Sequence, residues 1–151
     1  MSGIIGGAGT EIIRSAYFED VNDVEQKLII GEQHHIYTVL SITICCLASN
    51  TPGTNIMYFR LKGYDSKGGT TAQEFRLLNW VMGVNDTFVW NDKFSFNGFE
   101  PTDFAGPMDD VTKQNAIADQ GSSVAQFLAC SATHDGDKCD IGITYIDQNN
   151  A

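Results

Sequence analysis

The chain has 151 residues, enough for one domain whose hydrophobic core folds without disulfides or metals. Nine Lys and Arg against nineteen Asp and Glu give a formal charge of −10, which repels phosphate backbones and anionic lipid and argues against nucleic-acid and membrane partners. Charged residues make up only 19% against 42% hydrophobic, a charge-poor balance that implies surface covered by partners.

Residues Met1–Thr10 are Gly-rich, and Gly3, Gly6, Gly7 and Gly9 disfavour a helix. Two readings stand: a disordered tail, or an arm that orders on a neighbour with Ile4 and Ile5 as apolar anchors. Residues 1–20 are taken as the arm and 21–151 as the domain. The N-terminus lacks the basic and apolar regions of a signal peptide, so synthesis in a reducing cytoplasm is expected. The longest apolar run, Ile36–Ala48, falls short of the ~20 residues a membrane helix needs and is interrupted by Thr38, Ser41 and Thr43.

Beyond the arm the chain reads as strands. Val24–Ile30 is a candidate first strand. Val39–Ile44 alternates, with Leu40, Ile42, Ile44 and Cys46 on one face and Ser41, Thr43 and Cys45 on the other. After a turn at Asn50–Thr54, Ile56–Tyr64 sets Met57, Phe59 and Leu61 against an outward stripe of Tyr58, Arg60, Lys62 and Tyr64. Phe75–Trp80, Thr87–Trp90 and Phe94–Phe96 follow, separated by Gly, Asn and Asp turns. Val124–Ala132 and Cys139–Ile146 close the chain, joined across His134-Asp135-Gly136-Asp137 as an expected hairpin. Asn97–Ser123 carries Pro101, Pro107, Asp109 and Asp110 and little alternation; it reads as a long loop insertion with room for a short helix at Asp109–Ala118. This pattern predicts an all-β, single antiparallel β-sandwich of seven or eight strands, in jelly-roll or Ig-like order.

No chemistry stands out. His34 and His35 point to opposite faces of a strand and cannot share a metal, and Asp103, Asp109 and Asp110 match no calcium-loop spacing. No nucleophile elbow and no zinc-protease helix motif occurs, so no catalytic, cofactor-binding or metal residue is assigned and an enzyme is not expected. Cys45 and Cys46 read as small buried hydrophobes, while Cys130 and Cys139 flank the proposed hairpin and leave a disulfide open. The Tyr58–Tyr64 stripe has two readings, cross-strand pairing on a solvated face or an interface, since Tyr and Arg are common interface anchors. Trp80 and Trp90 sit among apolar residues and read as core or subunit contacts, with a sugar-stacking platform as the alternative.

The layout resembles the small β-sandwich virion proteins of tailed bacteriophages. The likeness rests on the Ser2-Gly3-Ile4-Ile5-Gly6-Gly7-Ala8-Gly9 arm, the Thr- and Ser-rich strand Tyr37–Ile44, and the closing strand Ile141–Ile146 near the C-terminus. It is a likeness of texture and layout, without a defined motif. It implies a structural protein of the virion, made in the host cytoplasm, most of all a capsid decoration or cement protein. Such a protein would bind the major capsid protein and form a homo-oligomer, a trimer preferred. The candidate interface residues are Ile4, Ile5, Tyr58, Arg60, Lys62 and Tyr64. A neck, tail or fibre-associated protein, and from another class a carbohydrate-binding module, are the alternatives.

Overall fold

A computed structural model describes residues 10–32, 34–49, 54–63, 73–99 and 125–149, and these form nine strands and no helix. The strands are β1 (Thr10–Val21), β2 (Gln26–Ile30), β3 (His35–Ala48), β4 (Ile56–Gly63), β5 (Gln73–Val81), β6 (Thr87–Trp90), β7 (Phe94–Asn97), β8 (Phe127–Ala132) and β9 (Lys138–Asn149). They build two antiparallel sheets. One has the order β1-β9-β3-β6, with β7 beside β6 on the same edge of β3; the other has the order β2-β8-β4-β5. Only β4 and β5 are consecutive strands paired within one sheet; the other connections cross between sheets, except β6 to β7. This interlocked pair of Greek keys is the jelly-roll form of the sandwich, so the jelly-roll and Ig-like alternatives resolve to the first.

The core lies between the sheets. Val39, Ile42, Ile44 and Cys46 of β3 and Cys139, Ile141 and Ile143 of β9 pack against Met57 and Phe59 of β4 and Leu128 and Cys130 of β8. The expected alternation in β4 holds as drawn, with Met57 and Phe59 fully buried. In β3 it shifts. A bulge between Val39 and Ser41 resets the phase, so Tyr37 and Val39 face inward before it and Ile42, Ile44 and Cys46 after it. Leu40 sits on the bulge, half-buried, and does not continue the core row.

Three expectations are corrected. The arm drawn through residue 20 is a strand from Thr10 onward: β1 pairs with β9 from Thr10↔Asn149 to Phe18↔Ile141. The His134–Asp137 turn is a corner between sheets, because β8 pairs with β2 and β4 while β9 pairs with β1 and β3. Asp137 is fully buried there, where it accepts hydrogen bonds from Asn55 Nδ2 at 2.9 Å and the His134 N–H at 3.2 Å, which secures the corner. β8 begins at Phe127 rather than Val124. Ile4, Ile5, Tyr64 and residues 100–124, with the helix expected at Asp109–Ala118, lie outside the described residues.

A backbone stitch joins the sheets at one end. The Gly31 N–H donates to the Gln126 carbonyl at 2.9 Å, the Gln126 N–H to the Gly98 carbonyl at 2.8 Å, and the Gly98 N–H to the His35 carbonyl at 2.8 Å. Glycine is required at two points in this chain of bonds: a Cβ on Gly31 would lie 2.0 Å from the Gly98 carbonyl oxygen, and one on Gly98 would lie 2.0 Å from the Glu32 carbonyl oxygen. A bridge between Phe99 and Ala125 extends the stitch.

Candidate functional site

Of the expected outward stripe, Tyr58, Arg60 and Lys62 lie in β4 and are engaged within the sheet. Lys62 Nζ pairs with Glu74 across β4–β5 at 2.8 Å and with Glu25, and these carboxylates raise its pKa. The Arg60 and Arg76 guanidinium groups lie 5.1 and 5.6 Å from the Tyr58 ring centre. Lys27 and Lys62 both lie over the Phe127 ring. These side chains flank the outward face of β8, where Ala129 and Ser131 are buried although they point away from the core. Tyr58, Arg60 and Lys62 thus act first as cross-strand pairs.

At the stitched end a polar cluster joins three strands. Asp147 of β9, with 6% exposure, accepts a hydrogen bond from Arg14 Nε of β1 at 2.9 Å and lies 2.5 Å from His35 Nδ1 of β3. His35 Nε2 is 3.3 Å from a Glu32 carboxylate oxygen, so both ring nitrogens face acids. The Glu32 N–H donates to the Tyr37 hydroxyl at 3.0 Å. Tyr37 stacks among His35, Phe96 and Tyr145, and burial raises the Tyr37 and Tyr145 pKa values. A cleft of about 240 Å³ lies beside the cluster, lined in part by Thr10, Ile12 and Asn149. The partners are 112 and 133 positions apart in the chain, so sequence spacing gave no signal of them. Among the described residues, no three His, Cys, Asp or Glu side chains are grouped to hold a metal ion. The cluster's chemistry is that of a tie between β1, β9 and β3.

The four sheet edges differ in what they offer a partner. β2 is five residues long and bulged, β5 pairs with β4 in a shifted register, and β6 and β7 are four residues each. All of these are blunted in the ways that protect natural edges. β1 is twelve residues long and runs in unbroken register from Thr10 to Phe18, with its bulge only between Phe18 and Val21. Among the described residues β9 is its only strand partner. The outward face beside this edge has uncharged middle rows: Ser15, Thr144 and Ser41 in one, and Tyr17, Gly142 and Thr43 in the next. Tyr17 is 81% exposed and its ring lies against Gly142, beside an open trough of about 580 Å³ whose lining also includes Glu19 and Asp140. Ile13, two residues earlier than Ser15, is also exposed.

The two tryptophans pack inward. Trp80 registers with Met57 and lies 6.0 Å from Phe88; Trp90 registers with Ile42 and donates its indole N–H to the Asp92 carbonyl. All four cysteines are free thiols, Cys130 and Cys139 included, and Cys46, Cys130 and Cys139 are buried.

Fold and edges define a jelly-roll β-sandwich with one long edge strand, β1, that pairs in unbroken register from Thr10 to Phe18 and carries Glu11 and Arg14. No protein-family model matches the chain, and no curated protein matches its sequence. Among solved structures it is similar to a chain described by the words "Bacillus endospore appendages form a novel family of disulfide-linked pili", with a TM-score of 0.42 and 9% identity over 100% of this chain and 98% of that one. A likeness of that size carries no functional weight.

Proposed function

We propose that this protein is a structural, non-enzymatic subunit that assembles with copies of itself on a larger particle, with virion decoration as the particular form that its sequence texture suggests. The β1 edge carries the proposal. A strand added along Thr10–Phe18 would gain main-chain hydrogen bonds that the sandwich leaves unused, and the uncharged rows beside it spare a chain of charge −10 from like-charge contact. The occupant is the Met1–Gly9 segment of a neighbouring copy. Its glycines permit close backbone approach, and Ile4 and Ile5 supply the apolar anchors. Ordering costs roughly 1–2 kcal/mol per residue, more than two buried isoleucines return at roughly 3–6 kcal/mol, so the ladder bonds are required.

Deleting residues 1–9 tests this reading. The shortened chain is expected to melt like the full chain yet stay monomeric by light scattering, while the full chain associates, more strongly as salt screens its charge. Equal association of both chains refutes the arm. Copy number in a purified particle then separates head decoration, which is high, from a neck or tail position, which is low.

One observation favours a second reading, a carbohydrate-binding module. The exposed Tyr17 ring beside the Gly142 trough, with Ser41, Thr43 and Thr144 hydroxyls along it, has the parts of a sugar-stacking surface. Glycan binding by the isolated protein that Tyr17→Ala abolishes supports it; no binding across neutral glycans removes it.

A further inference from the structure

Cys46 of β3 and Cys139 of β9 are direct register partners in the central strand pair, and both are fully buried on the same inner face. Their backbone phase settles how close they stand. The Cys46 N–H donates to the Asp86 carbonyl at 2.9 Å and its carbonyl accepts from the Asn85 N–H at 2.8 Å, so both of its main-chain groups point away from β9. Toward β9 the two cysteines therefore form a non-hydrogen-bonded pair. In such a pair the Cα atoms stand roughly 4.5 Å apart with side chains at their nearest, inside the roughly 4.4–6.8 Å window of a disulfide. Cys46 Sγ donates to the Ala48 carbonyl at 3.6 Å, and Cys139 Sγ lies 3.5 Å from Met82 Sδ.

The other thiols are placed wrongly. Cys130 belongs to β8 of the opposite sheet and has neither cysteine as a register partner: it faces Gln26 of β2 and Phe59 of β4. Cys45 points to the outer face, where it registers with Asp140 and Thr87. We propose that Cys46 and Cys139 are a latent cross-strand disulfide site, closed when the chain folds in the presence of a disulfide oxidant such as oxidised glutathione. One thiolate attacks the glutathione disulfide and releases a glutathione thiolate. The second attacks the mixed disulfide and releases another. Two cysteines are oxidised, one glutathione disulfide is reduced to two thiols, and those thiols take up the two protons. In the folded state burial keeps both cysteines protonated and out of reach, so the bond forms before the sheets close and the finished fold shields it in turn. This site stands independently of the assembly reading.

The test refolds the full chain with and without oxidised glutathione, traps free thiols by alkylation, and maps linked peptides by mass spectrometry. The expected product is one Cys46–Cys139 link with Cys45 and Cys130 alkylated, unchanged in Cys130→Ser, and a melting temperature higher by on the order of 10 °C than the reduced chain, because the bond closes a long loop. The natively folded reduced protein, given the same oxidant without unfolding, is expected to link far more slowly. A Cys130–Cys139 link, or four alkylated thiols after oxidative refolding, overturns the proposal. Because the link is read on the unaltered chain, the outcome does not depend on a cysteine variant folding.

Discussion

Arg14 Nε reaches Asp147 at 2.9 Å across the β1–β9 pair, tying the edge strand β1 to the middle of its sheet. Arg14 is half exposed and Asp147 nearly buried, and the same carboxylate also faces His35. The two ends of this tie are therefore unequal. Asp147→Ala strips the acceptor from both partners and leaves part-buried His35 with only Glu32 beside it, at a cost of about 2 kcal/mol. Arg14→Ala leaves Asp147 with His35 and costs less. Urea titration of both variants gives the ordering; an Arg14 effect as large as that of Asp147 would contradict it.

The stitch at Gly31 and Gly98 leaves no room for a methyl group. Gly98→Ala sets a Cβ against the Glu32 carbonyl and is expected to cost on the order of 3 kcal/mol or more. Gly142→Ala meets only the Tyr17 ring at 3.3 Å, an exposed side chain free to move, and should change stability by less than about 1 kcal/mol. Thermal melts of the two variants check the contrast.

Neighbouring strand positions respond oppositely to a charge. Val39→Asp and Ile42→Asp place a carboxylate in the core, at a cost of several kcal/mol that rivals a whole domain's stability. Thr43→Asp, on the exposed face, leaves the fold intact. Soluble, cooperatively melting Val39→Asp protein would refute the inward assignment before the bulge.

Under reducing conditions stability is expected to fall at alkaline pH. Burial raises the pKa of Cys46, Cys130 and Cys139 above the ordinary 9.0, and of Tyr37 and Tyr145 above 10.0. The unfolded chain then releases these protons first. The stabilising contribution is complete below about pH 9 and declines as pH rises from there toward the higher folded values. Melts from pH 7 to 11 should show a plateau and then a fall, with a shallower fall in Cys130→Ala. A flat profile to pH 11 would contradict the burial of these groups.

Much of the sandwich was legible because half-buried strands alternate. Met57 and Phe59 in β4, and Ile141 and Ile143 in β9, announce their face. β1 was hidden because Ile12-Ile13 and Tyr17-Phe18 put apolar residues on both faces, which erases the period-two signal. The bulge at Leu40 was hidden because a bulge changes phase without changing composition. The Asp-Gly turn at Asp135-Gly136 marks a reversal in sequence, and only the partners of β8 and β9 reveal it as a corner. Of the candidate interface residues, the β4 stripe was readable as outward-facing. The Asp147 cluster and the Cys46–Cys139 register were not, because they depend on which strands become neighbours.

The bridge between Phe99 and Ala125 fixes the two ends of the intervening residues 100–124 side by side, with Gln126 Nε2 holding the Asn97 and Phe99 carbonyls at 3.1 Å each. That makes this point of the chain a natural cassette boundary. Once the ends are clamped, doubling the length of what lies between them adds only about 0.6 kcal/mol of closure entropy. The jelly roll can therefore accept a different insert here, longer or shorter, and acquire a new specificity while its framework stays unchanged.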